Sequence, residues 1–380
     1  MPKPPAGPLF LRCVILATWL AAIPLHTLAK DLVIGQVAPF GGPLAVSGRD
    51  FNLGAMIAFD EINAAGGVSG NRLRLVSRDD GYRSAETVRL VEELIEQEAP
   101  VALIGMWGAE NIEAVLQKDL LEKADLPVLG VRSGNAALRA KGALFHVRAS
   151  YRDEVQRILD QMHTMGSERV AVIYEDTDFG REAWADAQAA LAKRQITPVA
   201  VAMQPRNDLK VEATVKKIVA AAPQAVLLVS NTPVAGAMVK GLRAKNLPAF
   251  VFATSTVDAE QLVAQLGAEA SGVAVAQGVP NPYKATAPIA MDFRRRIASL
   301  GIDPARANFA SLEGYIVARI LVEGLRRSGK NPQRKDLVRG LESLRRTDLG
   351  GFVVDFGPGQ REGSRFVDLS LIGTDGRIRQ

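Results

Sequence analysis

Residues able to hold a small molecule follow directly after five predicted strands of this chain. The strands are short apolar runs bounded by turn residues. The turns carry hydroxyl, amide, guanidinium, carboxylate and aromatic groups: Trp107, Ala109, Glu110 and Asn111 after residues 101–105, Arg132, Ser133 and Gly134 after 128–131, Phe179 after 170–174, Asn231 and Thr232 after 225–230, and Thr254 and Ser255 after 250–253. Parallel strands open a cleft at their carboxyl ends, where helix N-termini offer unpaired N–H groups. We therefore expect these turns to bind a small polar organic ligand.

The chemistry these residues favour is recognition of a carboxylate or an amide. Arg132 offers a planar fork of donors that suits a carboxylate. Trp107 and Phe179 could cover an apolar or aromatic body, although Trp107 could equally belong to the core. We expect Arg132→Ala to remove binding and to leave the melting temperature of the unliganded protein nearly unchanged.

Catalytic and metal-binding patterns are missing from the sequence. Of three histidines, only His146 and His163 follow the N-terminal 29 residues, and the single cysteine, Cys13, lies within them. No zinc spacing, Gly-x-Ser-x-Gly motif or phosphate-binding glycine loop occurs. The turn with Gly41, Gly42 and Gly48 lacks dinucleotide-binding spacing. We predict a non-enzymatic protein with no metal and no cofactor.

Strand and helix patterns alternate along the chain and indicate the α/β class. Residues 32–37, 51–63 and 73–77 form the first β-α-β unit, and such units build a parallel sheet with right-handed crossovers. Ser47 and Asp50 have the spacing of a capping box for its helix, and Gly66-Gly67 supplies a left-handed C-terminal cap. A second series starts at residue 170. We predict two doubly wound parallel-sheet lobes.

The N-terminus has the features of a secretory signal peptide. Lys3 and Arg12 precede the apolar run 13–25, and Thr27-Leu28-Ala29 supplies small residues for cleavage after Ala29. A lipoprotein anchored on Cys13 is disfavoured by the bulky Arg12. We therefore predict a leader at 1–29 and a periplasmic mature protein. The net charge of +5 is spread along the chain without a basic, aromatic-interleaved stripe, so no nucleic-acid partner is expected.

The first β-α-β unit also carries a family resemblance. Gly54-Ala55, residues 60–70 (Asp-Glu-Ile-Asn-Ala-Ala-Gly-Gly-Val-Ser-Gly) and Asp79-Asp80 resemble type I periplasmic solute-binding proteins. The most similar branch is the leucine/isoleucine/valine-binding one that serves ATP-driven importers. The resemblance implies a three-strand hinge near 149–150, 278–283 and 356–359. Lobe 1 would then comprise 30–149 plus 280–356, and lobe 2 would comprise 150–279 plus 357–380.

The resemblance also implies roles for the turn residues. Stretches 108–111 and 132–134 would present N–H and hydroxyl groups to a ligand carboxylate, with Ala109 and Gly134 where the family usually has serine and threonine. Phe179 would lie over the ligand. Thr254 and Ser255 replace the segment where amino-acid binders place an acid against the ammonium. We therefore expect a ligand without an α-ammonium, while Glu110 could pair with Arg132 or substitute for that acid.

These expectations define a monomeric solute-binding protein that closes around its ligand by hinge motion. It would deliver the ligand to the membrane permease of an ABC importer. The alternative is a periplasmic ligand-sensing module that acts on a separate receptor.

Overall fold

The computed structural model describes residues 1–3, 31–42, 44–284 and 286–379. Most of the leader expected at 1–29 lies outside the described residues, as does its cleavage site. Within the described ranges, no helix combines the length and apolarity needed to cross a membrane.

The first part of the chain builds a five-stranded parallel sheet with helices on both faces. Its elements are β1 (Asp31–Ala38), α1 (Ala45–Ala64), β2 (Arg72–Asp79), α2 (Ser84–Gln97), β3 (Ala102–Ile104), α3 (Ala109–Leu116), α4 (Leu120–Lys123), β4 (Val128–Leu129), α5 (Ala136–Arg139) and β5 (Leu144–Phe145). The strand order is β2-β1-β3-β4-β5. Central strands such as β3 are buried on both faces, which explains their continuous apolar sequences.

The second part builds a seven-stranded sheet. Its elements are α6 (Tyr151–Thr164), β6 (Val170–Glu175), α7 (Asp178–Lys193), β7 (Ala200–Gln204), α8 (Glu212–Ala220), β8 (Ala225–Val229), α9 (Thr232–Ala244), β9 (Phe250–Ala253), α10 (Ala259–Leu266) and β10 (Val273–Gln277). A capping box formed by Ser150 and Asp153 starts α6, where the chain leaves the first sheet.

The chain then returns to the first core and finally ends in the second sheet. The returning elements are α11 (Pro288–Ser299), α12 (Phe309–Arg326), α13 (Arg334–Glu342) and the hairpin β11 (Thr347–Asp348) and β12 (Val353–Val354). Strand β13 (Asp368–Ile372) pairs antiparallel with β10, and β14 (Ile378–Arg379) pairs with β13. The second sheet therefore has the order β14-β13-β10-β9-β8-β6-β7. The predicted α/β class with two parallel-sheet lobes is confirmed.

Helix α1 does not begin as predicted. It starts at Ala45, after Leu44, which makes no side-chain cap. Ser47 and Asp50 lie inside the helix and bind other elements: Ser47 Oγ donates to Asp258, and Asp50 accepts from Asn308 and Arg306. The expected capping box was therefore wrong, because long-range partners take these side chains. At the other end, Gly66 and Gly67 have positive φ, as predicted.

The residues around the third expected crossing contact both lobe cores in turn. Phe356 is buried in lobe 1, and His146 beside β5 bonds to both Arg361 and Gly363 at 2.8 Å. Phe366 still packs against the lobe 1 core, whereas Val367 packs against lobe 2. These contacts support a revised proposal in which residues 357–366 belong to lobe 1 and the third crossing follows Phe366. The backbone N–H and C=O groups of Gly357 and Gln360 bond to each other and form a local turn. The remaining lobe boundaries stay a proposal.

Candidate ligand-binding cleft

Two connected chambers lie between the lobes at the carboxyl ends of the strands. The inner chamber is a cavity of about 110 Å³ that includes Trp107, Arg132, Arg148, Ser255, Asp258 and Glu313. The outer chamber measures about 410 Å³ and includes Glu110, Glu175, Arg206, Leu209 and Pro233. The residues that line both chambers are Leu44, Tyr82, Ala109, Phe179 and Asn231.

Two arginines share one carboxylate in the inner chamber. Arg132 forms an ion pair with Glu313, and Arg148 Nε lies 3.4 Å from the other oxygen of Glu313. The exposed side-chain fractions are 13%, 7% and 4% for Arg132, Arg148 and Glu313, so the cluster is nearly dry. Among the described residues, the buried Arg132 Nε has no hydrogen-bond partner, whereas Arg148 Nε faces Glu313. Arg132 also lies over the Trp107 ring, with Cζ 4.4 Å from its centroid. With two guanidiniums and one carboxylate, this cluster offers an anion a net positive charge and the Nε donor of Arg132.

The acids that lobe 2 contributes are already bonded to neighbouring donors. Glu154 accepts from the backbone N–H and hydroxyl of Ser255. Burial raises the pKa of Glu154, which the Arg148 charge and the Ser255 bonds partly offset. Asp258 caps α10: Oδ1 accepts from the N–H of Gln261, and Oδ2 accepts from Ser47 Oγ and from Gln261 Nε2. Because Ser47 belongs to lobe 1, Asp258 also links the lobes.

Most of the residues predicted from strand-end turns line this cleft. In the inner chamber lie Trp107, Ala109, Arg132, Phe179, Asn231, Thr232 and Ser255. Glu110 lines only the outer chamber. Whether these residues contact a ligand stays a prediction.

Four residues predicted to bind the ligand lie outside the lining of both chambers. Asn111 is buried and accepts a bond from Ser84 Oγ. Ser133 accepts from the N–H of Asn135, and Thr254 bonds to Thr256. At Gly134 an added Cβ would lie 2.7 Å from the Tyr151 ring, which explains glycine at this position. None of the four is in the lining of either chamber.

The pairing considered for Glu110 was wrong. Both carboxylate oxygens of Glu110 lie 2.9 Å from one guanidinium nitrogen of Arg206 in lobe 2, whereas Arg132 pairs with Glu313. Glu110 therefore bridges the lobes at the outer chamber and is not an acid of the inner chamber.

Sequence reasoning missed Glu313, Arg148, Asp258 and Tyr82. Glu313 lies on α12, far along the chain from Arg132, so no local pattern reveals the pair. Arg148 directly precedes the first predicted crossing, and Asp258 is a helix-capping type shortly after a strand; both signals were available. Asp258 matters most, because it is an acid in the cleft that was not expected from the strand-end turns.

Tyr82 lies between the chambers in an unusual backbone conformation. Its φ is +59°, and its N–H donates to Asp80 Oδ1 at 2.8 Å. The Tyr82 ring contacts Gly108, where an added Cβ would lie 2.7 Å from it. A bulky residue with positive φ costs on the order of 1 kcal/mol and is typical of functional sites. Burial raises the pKa of Tyr82 to about 12, so its hydroxyl stays neutral.

Glu260 on α10 is an acid that bonds to residues following it far along the chain. It accepts from Tyr283 Oη at 2.6 Å and from the N–H of Phe309 on α12 of lobe 1 at 3.3 Å. Burial, with the Asp258 carboxylate nearby, raises the pKa of Glu260 to about 8. Its unfolded value is about 4.3. Between these two pH values the folded protein therefore binds more protons than the unfolded chain. Its free energy of unfolding should fall as pH rises through this window.

We expect Glu260→Gln to reduce this pH dependence. The melting temperature of the parent should drop more between pH 5.5 and pH 8.5 than that of the variant. Glu269→Gln, at an exposed position soon after α10, serves as the matched control and should behave like the parent. Equal slopes for Glu260→Gln and the parent would contradict a buried, protonated Glu260.

Comparison with known proteins identifies the class. A family model described as periplasmic binding protein matches residues 31–366. The chain belongs to this family, whose members are periplasmic solute-binding proteins and not enzymes. This confirms the resemblance drawn from the first β-α-β unit.

Individual proteins place the chain within the family. A substrate-binding periplasmic protein of Ralstonia solanacearum is 33% identical, with a TM-score of 0.85 over 92% of this chain and 100% of its own. An amino acid binding protein of Pseudomonas aeruginosa is 26% identical over 64% of this chain, and the match spans 65% of that relative's length. A valine-bound branched chain amino acid ABC transporter protein of Thermus thermophilus shares the fold, with a TM-score of 0.81 at 18% identity over 92% of this chain and 95% of its own.

Proposed function

We propose that this protein captures a small organic carboxylate in the interlobe cleft and delivers it to the permease of an ABC importer. The inner-chamber cluster supports this ligand class: Arg132 and Arg148 share the single carboxylate of Glu313, and Arg132 Nε has no hydrogen-bond partner among the described residues. A carboxylate accepts bonds from both guanidiniums and balances their excess charge. A neutral carboxamide would bind the same donors more weakly.

The same cluster disfavours an α-ammonium. Three acids line the inner chamber, and each has partners within the protein. Glu313 is engaged by two arginines, Asp258 by Ser47 and Gln261, and Glu260 by Tyr283 and the N–H of Phe309. An ammonium placed beside Arg132 and Arg148 would lose its water and meet like charges. An unpaired buried charge costs several kcal/mol.

A second candidate ligand is an α-amino acid. It is favoured by Asp258, which lines the inner chamber and could take an ammonium on the remaining lone pair of Oδ1. The name of the Pseudomonas relative agrees with this candidate. Asp258, and not Glu110, would then replace the family's acid.

A thermal-shift screen of matched molecules separates these candidates. We expect 3-phenylpropanoate to raise the melting temperature more than 3-phenylpropanamide and more than phenylalanine. Stabilisation by phenylalanine alone, abolished by Asp258→Asn, would contradict the carboxylate proposal and support the amino acid.

Family membership and the ABC transporter named for the Thermus neighbour support the transport role. Permease and ATPase genes beside this gene, and loss of ligand uptake when it is deleted, would test that role. Normal uptake with loss of a ligand response would instead support the sensing alternative. We propose that the leader at 1–29 directs export and that the mature protein is monomeric.

A further inference from the structure

The outer chamber is built from apolar surfaces whose polar neighbours are already satisfied. Glu175 is fully buried and accepts bonds from the N–H of Asn207, the N–H of Asn231 and Asn231 Nδ2, at 2.8 to 2.9 Å. Thr177 Oγ1 accepts from the N–H of Gly180 as the cap of α7. Asn231 Oδ1 likewise accepts from the N–H of Val234.

The charged groups at this chamber also have partners within the protein. Glu110 binds Arg206 across the lobes, and Asp178 pairs with Arg181. What the wall presents to a ligand is therefore mainly the side chains of Leu44, Tyr82, Ala109, Phe179, Leu209 and Pro233. Such a wall favours an apolar occupant, because a polar one would find few unsatisfied partners.

Among the apolar side chains that line the outer chamber, Leu209 is the most exposed. Its exposed fraction is 56%, although it lines a chamber of about 410 Å³. Tyr82, 37% exposed and held at positive φ, presents its ring to both chambers. Phe179 lies in both linings as well and contacts the Tyr151 ring, with centroids 6.0 Å apart. An apolar ligand chain that extends out of the inner chamber would therefore stay in contact with the Tyr82 and Phe179 rings.

We propose that the ligand is an amphipathic monocarboxylate that spans both chambers. This inference rests on the proposed function: the carboxylate lies at Arg132 and Arg148 in the inner chamber. The alkyl or aryl tail then extends past Tyr82 and Phe179 to Leu209. The inner chamber is much smaller than the outer one, so a tail of several methylenes or a ring must occupy the outer chamber. Leu209 and Tyr82 thereby determine specificity for tail length.

Calorimetry with straight-chain monocarboxylates from butanoate to decanoate tests this proposal on the mature protein. Each methylene buried in the outer chamber should tighten binding about fourfold. Leu209→Asp should flatten the dependence on length, because a carboxylate on the wall opposes an apolar tail. Leu371→Asp, at a similarly exposed leucine on β13 outside the cleft, is the matched control and should keep the full dependence.

The outcomes distinguish the two proposals. Two results would overturn the two-chamber inference and leave the carboxylate proposal standing. The first is equal affinity for short and long acids, and the second is an unchanged dependence of affinity on chain length in Leu209→Asp. Failure of every acid to bind a protein with a normal melting curve would overturn the proposed function itself, and this inference with it.

Discussion

Replacing Gly54 by alanine is expected to destabilise the protein by about 3 kcal/mol. Helices α1 and α12 cross here with their backbones in contact: an added Cβ at Gly54 would lie 1.8 Å from the carbonyl oxygen of Ser311 and 2.8 Å from the nitrogen of Tyr315. Gly314 is the reciprocal position on α12: a Cβ added there would lie 1.9 Å from the carbonyl oxygen of Phe51. Backbone atoms cannot rotate away as a side chain can, so the helices must separate.

In a helix, alanine is normally more favourable than glycine by up to about 1 kcal/mol. Helix propensity alone therefore predicts that Gly54→Ala stabilises the protein, whereas the close packing predicts that it destabilises it. The free energy of unfolding in urea measures the effect. Gly142→Ala is the control, because the residue is exposed and an added Cβ would have no atom of the described residues within 4 Å. A Gly54→Ala protein as stable as the parent would show that α1 and α12 do not pack this closely.

Arg132→Met is expected to weaken carboxylate binding at least 100-fold, equivalent to about 3 kcal/mol. The substitution keeps much of the side-chain volume against Trp107 and removes the charged fork. Arg132→Lys should give an intermediate affinity, because it keeps the charge and loses the planar geometry. Arg295→Met, at an arginine 73% exposed on α11, should bind like the parent. Unchanged affinity in Arg132→Met would remove Arg132 from the site.

The structure also corrects the expected stability of Arg132 variants. The sequence led us to expect an unchanged melting temperature, but Glu313 would lose its ion pair and keep only Arg148. Breaking a buried pair is destabilising because it leaves a poorly compensated charge. The double variant Arg132→Met with Glu313→Gln should regain part of the lost stability and remain unable to bind the carboxylate.

Strand positions and the location of the cleft could be predicted because both follow local rules. Apolar runs flanked by Gly, Pro and polar residues predict buried strands, and the carboxyl ends of such strands meet at one edge. This is why Arg132, Phe179 and Ser255 were placed near the cleft without a structure. It also explains why the predicted α/β class was right.

The directions and partners of the side chains could not be predicted in the same way. Asn111, Ser133 and Thr254 are of suitable type and position, but they bond within their own lobes. Glu313 reaches Arg132 only through the packing of α12 against the first sheet. Tertiary contacts likewise decide the third crossing and the partners of Ser47 and Asp50, so neighbouring sequence cannot reveal them.

The cleft is expected to bind a carboxylate ligand that lacks an α-ammonium. Calorimetry with 4-methylpentanoate and leucine tests it directly, because these molecules differ only by the α-ammonium. We predict that 4-methylpentanoate binds at least tenfold more tightly to the parent, and that Arg132→Met abolishes this binding. Tighter binding of leucine, lost in Asp258→Asn, would contradict the claim.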